Sequence, residues 1–241
     1  MRLGNLPVSR RTWTTYAGLV CVLVLVKLIF LLIPTTFPGA DQATAFTWPV
    51  VLVVSVLGAV GVALSRYARI PDPWDPDISA SQRFVLPVLD GLAYGLITVL
   101  RDLGKPADVH LAFPWSVPFY AFGAVFLEVL LRVFALTVLT VLVWKVLLRG
   151  RAYGAAFWSA NIVVALYEPM PFLATELSNS SRLAVPGIIV DWAFQPLFLA
   201  NVLTGYIFRR YGMLSAVVLR LAFYAVWHVA YGGFRPFWLS L

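Results

Sequence analysis

With 241 residues, 61% of them hydrophobic and 12% charged, the chain lies far from the roughly 45–50% apolar and about 25% charged make-up of a soluble domain, and that class is excluded. The net charge of +7 does not mark a nucleic-acid binder, because the basic residues are spaced along the chain and not gathered among aromatics. A single cysteine, Cys21, rules out both a disulfide framework and a thiolate metal site.

About 20 apolar residues cross a bilayer, and by that measure the sequence predicts an all-α, polytopic bundle of about seven membrane helices. The expected spans are 14–34, 47–65, 84–100, 117–147, 153–168, 183–208 and 213–232. The first follows a basic start, as a signal peptide would. Its apolar part runs about 18 residues and contains Lys27, longer than the usual 7–15-residue signal core, so it is read as a membrane helix. After the second span, "SRYARIPDPWDPDISASQR" (65–83) holds three prolines and three aspartates, which makes it a turn-rich connector. The fourth span, some 30 residues and about 45 Å long, exceeds the roughly 30 Å of hydrocarbon and must tilt, kink or project. The fifth ends at Glu168, where "PMP" follows and proline stops a helix. Pro186 and Pro196 interrupt the sixth.

These segments divide the chain into two N-terminal helices with a cytoplasmic connector (1–83), a third helix and outer loop (84–116), a helical core (117–232) and an interfacial, aromatic tail (233–241). No internal repeat and no low-complexity tract is evident. Asn179-Ser180-Ser181 forms a glycosylation triplet of a kind that arises often by chance.

Basic residues alternate between the loops. Eleven fall on one side: Arg2, Arg10, Arg11, Arg66, Arg69, Arg83, Lys145, Arg149, Arg151, Arg209 and Arg210. Four fall on the other: Arg101, Lys105, Arg182 and Arg235. The positive-inside rule then expects an integral protein of the plasma membrane with a cytoplasmic N-terminus and an outer C-terminus.

Eight ionisable side chains fall within the spans: Lys27, Asp90, Glu128, Arg132, Glu168, Asp191, Arg220 and His228. Charge is costly in lipid, so such groups face the bundle interior and pair, unless they snorkel as Lys27 can. Glu128 and Arg132 stand four residues apart on one helical face, and Arg220, Tyr224 and His228 repeat that spacing. Glu128, Glu168, Arg132 and Arg220 sum to zero charge, which fits a neutral internal network as well as a site. His228 and the loop residue His110 are the only imidazoles, and nothing calls for a metal or another cofactor.

In order and spacing, "LEVLLR" (127–132), "AAFWSANIVVALYEPM" (155–170) and "ANVLTGYIFRRYGMLSAVVLRLAFYAVWH" (200–228) resemble the CPBP family, the CAAX-processing and bacteriocin-processing intramembrane endopeptidases also known as abortive-infection proteins. The resemblance covers about 117–232. That family carries Glu-Glu-x-x-x-Arg in one long helix, Phe-x-x-x-His at the end of the next and His-x-x-x-Asn or Asp in a later one. Glu128 and Arg132 match the second glutamate and the arginine of the first motif, with Leu127 in place of the first glutamate. Val164 and Glu168 stand where the second motif has phenylalanine and histidine, and Arg220 and Tyr224 where the third has histidine and asparagine. The resemblance implies a membrane-embedded glutamate that activates water for peptide hydrolysis, with Glu128, Arg132, Glu168, Arg220 and Tyr224 at the site.

Three functional readings follow. In an altered endopeptidase, Glu128 would act as base, Glu168 would share its proton and Arg220 would hold the oxyanion, although a guanidinium stays protonated and cannot serve as general acid. In a relative that keeps the scaffold and has reduced or lost peptidase activity, opposite charges replace the histidines, and the protein binds a transmembrane or lipidated peptide or protein. In a small transporter, Glu168 and Asp191 would carry protons along a polar path. A protease needs its two carboxylates within about 6 Å of each other and open to water. A structural network closes each onto an arginine.

Overall fold

The computed structural model describes residues 8–32, 47–104, 110–178, 187 and 196–235. Among them the chain is helical, without strands. In chain order the elements are α1 (Arg10–Leu32), α2 (Trp48–Leu64), α3 (Ser81–Val85 continued by Leu86–Gly104), α4 (Ser116–Leu147), α5 (Tyr153–Ala165), α6 (Met170–Ser178), α7 (Pro196–Tyr211) and α8 (Met213–Gly233). Four helices, Arg10–Leu32, Ser81–Leu103, Ser116–Leu147 and Met213–Gly233, are long and apolar enough to cross a membrane, and Trp48–Leu64 and Tyr153–Ala165 are shorter and apolar. The chain is therefore an integral membrane protein by helix length and composition. Most of the expected sixth span before Pro196, with Pro186 and Asp191, lies outside the described residues, as do the triplet at Asn179 and the tail beyond Arg235.

α4 is the centre of the bundle, touching α1, α2, α5, α7 and α8. Its 32 residues span about 48 Å as an α-helix. The hydrogen-bond ladder widens to i→i+5 over Glu128–Leu136 and again over Leu142–Leu147. One apolar cluster gathers Leu23, Val62, Phe122, Leu136, Phe157 and Phe208 around α4. A second joins Leu111, Tyr120, Ala124, Phe223 and Tyr224 at the end where α4 begins and α8 finishes. Outward, α1, α2 and α3 present Leu25, Leu28, Leu52, Val56, Leu96 and Leu100, exposed apolar side chains suited to lipid.

Small residues set the closest approaches. On α3, Gly91 and Gly95 form a Gly-x-x-x-Gly face, and a Cβ on Gly91 would run into the backbone of Leu219 on α8. A Cβ on Gly61 of α2 would likewise meet the Val133 carbonyl on α4. Without the hydrophobic drive available in water, such backbone proximity supplies much of the packing of membrane helices.

The 65–83 connector is anchored. Asp72 accepts hydrogen bonds from Ser9, from the Thr12 hydroxyl at 2.7 Å and from the Trp74 N–H at 2.8 Å. Burial raises the pKa of this carboxyl, but the bonds from Ser9, Trp74 and Thr12 and the charge of Arg66 prevail and hold it below its ordinary value. Arg83 is buried and donates to the carbonyls of Pro73 (2.6 Å), Asp75 (3.1 Å) and Ile78 (2.8 Å). The helix α6 was not expected from the sequence. The proline pair that ends one helix also stands at the start of another, where a missing N–H costs nothing.

Candidate functional site

Three helices and one turn converge inside the bundle. α4 contributes Glu128 and Arg132, α7 Asn201, and α8 Arg220 and Tyr224; Glu168 enters from the turn between α5 and α6. Glu128 and Arg132 are 0% exposed, Asn201 2%, Arg220 3% and Tyr224 7%. The structure thus brings together all five sequence-derived site residues and adds an asparagine.

Arg220 is the hub. Its Nε donates to Glu128 Oε1 at 2.5 Å, and its Nη1 donates to Glu168 Oε1 at 3.0 Å and to the Tyr224 hydroxyl at 3.3 Å. Nη2 donates to Asn201 Oδ1 at 2.6 Å and lies 2.9 Å from Glu168 Oε2. That last contact is an ion pair lying off the hydrogen-bond direction, since Oε2 accepts no hydrogen bond among the described residues. A guanidinium has five N–H donors in a rigid fork, and this one uses them to join two carboxylates, a phenol and an amide.

Arg132 serves a different partner from the one its spacing suggests. Its Nη2 donates to both the backbone oxygen (2.9 Å) and Oδ1 (2.6 Å) of Asn201, while its Nε stands 3.9 Å from Glu128 Oε2. The Asn201 Oδ1 thereby receives both arginines and keeps their like charges apart. Glu128 Oε2, Arg132 Nε and Nη1, and Asn201 Nδ2 make no hydrogen bond among the described residues. Buried polar atoms left this way are expensive, so the cluster holds together by net charge balance more than by full hydrogen-bond satisfaction.

Chemically, the arrangement holds charge in place. Both carboxyl groups contact the same guanidinium, which cannot take or give a proton at neutral pH. Beside it, the crevice lined by Leu197, Ala200, Asn201, Thr204, Leu219, Arg220 and Phe223 has no space for a water molecule. Among the described residues there is no group of three or more histidine, cysteine, aspartate or glutamate side chains that could hold a metal ion.

His228 belongs elsewhere. One face of its ring stacks on Tyr120, with centroids 3.9 Å apart, and its Nδ1 lies 3.1 Å from Nδ1 of His110. The far nitrogen of His110, Nε2, faces Asp102 at 3.3 Å. Two facing imidazole nitrogens can share only one hydrogen, so this Asp102–His110–His228 chain clamps the end of α3 and the 110–115 loop to the end of α8. The Phe113 N–H, which donates to the Gly233 carbonyl at 3.0 Å, reinforces the clamp. Of the remaining intramembrane charges, Lys27 and Asp90 are half-buried, on α1 and α3, and join neither cluster.

Sequence reasoning missed Asn201 and the two-histidine clamp. An amide inside the apolar run "FLANVL" was a usable signal, since asparagine in a membrane helix commonly bonds across to a neighbour. No family model, curated protein or solved structure matches the chain significantly.

Proposed function

We propose that the chain is a seven-span plasma-membrane protein with a CPBP-like core that has lost peptide hydrolysis and serves as a scaffold binding a transmembrane or lipidated peptide. The supporting observation is the placement of Glu128 and Glu168 on the one guanidinium of Arg220. A general base must reach a water molecule. Here Glu128 Oε1 already accepts from the Arg220 Nε–H at 2.5 Å. Replacing the family's two histidines by glutamate and arginine keeps the interior neutral, which preserves a bundle at the expense of acid–base chemistry.

In this reading the N-terminus is cytoplasmic and the C-terminus outside, following the excess of lysine and arginine in alternate loops. The bilayer is the standing partner. Neither a cofactor nor a nucleic acid takes part.

The alternative is an altered endopeptidase. It draws support from Glu128 Oε2, which accepts no hydrogen bond among the described residues. The test uses purified protein in nanodiscs with a fluorescent farnesylated peptide, followed by anisotropy and mass spectrometry. Saturable binding without fragments is expected. Fragments that disappear with Glu128→Gln would establish the endopeptidase instead, and neither binding nor cleavage of this peptide or of a transmembrane peptide would remove the scaffold reading.

A further inference from the structure

The basic residues that the alternation of charge assigns to one side do more than line one end of the bundle. Three of them, Arg69 after α2, Lys145 near the end of α4 and Arg209 near the end of α7, meet over two aromatic rings. The Arg69 guanidinium carbon lies 4.4 Å from the Trp144 ring centre and 5.2 Å from that of Tyr153. Lys145 Nζ is 3.8 Å from the Trp144 ring, and Arg209 lies 5.0 Å from Tyr153 and 4.7 Å from Phe157. The Trp144 and Tyr153 rings stand edge to face at 5.0 Å, and the Tyr153 hydroxyl donates to the Ala68 carbonyl at 2.7 Å, so the platform is fixed.

None of these three cations has a carboxylate partner among the described residues. Trp144 is 4% exposed, yet its indole N–H has no acceptor among the described residues. Cations held together on ring faces, with a buried donor beside them, suit an anion with several acceptor oxygens.

We propose that this nest binds the headgroup phosphate of an anionic phospholipid. Position along α4 favours a lipid over a soluble phosphate. Leu142, Val146 and Leu147, on the same stretch of helix as Lys145, are 47%, 64% and 71% exposed. These apolar side chains belong against acyl chains; Lys145, at the same depth, snorkels its ammonium to the headgroup level, where it meets Arg69 and Arg209 on the shared rings. The lipid would tie the ends of α2, α4, α5 and α7 together.

The test is native mass spectrometry of the full chain with phosphatidylglycerol and with phosphatidylcholine, together with thermal unfolding in nanodiscs of each lipid. Phosphatidylglycerol is expected to be retained preferentially and to raise the unfolding temperature. Arg69→Gln with Arg209→Gln should weaken its retention on the order of tenfold, whereas Arg10→Gln with Arg11→Gln, the same loss of charge among the basic residues assigned to that side, should leave it within about twofold. Equal losses in the two double variants would mean diffuse attraction and no site. Should the nest variant fail to fold, the unmodified protein still decides: no preference for phosphatidylglycerol, or equal protection by millimolar inorganic phosphate in detergent, overturns the proposal.

Discussion

Arg220 joins two carboxylates, a phenol and an amide through one guanidinium. From spacing alone, Glu128 belongs with Arg132, four residues along the same helix. In the fold, Glu128 bonds Arg220 at 2.5 Å across the bundle, and Arg132 Nε stays 3.9 Å away. The members of the network were readable because a charge within a membrane segment must find a partner. Their pairing was not, because it depends on how α8 approaches α4, which no local pattern encodes. Asn201 escaped notice for a related reason: an uncharged amide raises no alarm in a composition count, although it bridges both arginines. The fork of Arg220 should matter beyond its charge. Arg220→Lys keeps the charge but offers a single ammonium to partners spread around a plane, and is expected to cost about 3 kcal/mol. Chemical or thermal unfolding in detergent checks this, and a cost below about 1 kcal/mol would show that only the charge counts.

At the scale of elements, three of the expected spans agree with helices to within a few residues: α2 at Trp48–Leu64 against 47–65, α4 at Ser116–Leu147 against 117–147, and α8 at Met213–Gly233 against 213–232. Hydrophobic length is a strong signal because it follows from bilayer thickness. Weaker signals were lost. α6 is only nine residues long and leaves no mark on a hydropathy window. The seam between α3 and α8 rests on Gly91 and Gly95, whose backbones nearly touch those of Leu219 and Phe223. Gly91→Leu is therefore expected to drive the two helices apart and to destabilise the protein by at least about 1–3 kcal/mol. The same substitution at Gly154, where an added Cβ meets nothing within 4 Å, should be close to neutral. Parallel unfolding curves of the two variants make the comparison.

On the scale of the whole molecule, the two ends of the bundle differ in chemistry. One end carries the Asp102–His110–His228 clamp and the other the arginines and lysine over Trp144 and Tyr153. Between them lies a neutral ion cluster enclosed by apolar helices. Composition and loop charge pointed to a membrane bundle with unequal ends, while the His110 clamp needed the third dimension, since its two imidazoles are 118 residues apart. In the proposed scaffold the buried charges hold the bundle and do not activate water. The measurement that addresses it most directly is thermal unfolding, in one detergent, of Glu128→Gln alone and of Glu128→Gln combined with Arg132→Met. If the cluster is a balanced network, the single change leaves an unpaired buried cation and costs about 3–5 kcal/mol, whereas the double change restores neutrality around the intact Arg220–Glu168 pair and costs clearly less. An unaltered unfolding temperature for Glu128→Gln would contradict the balanced network.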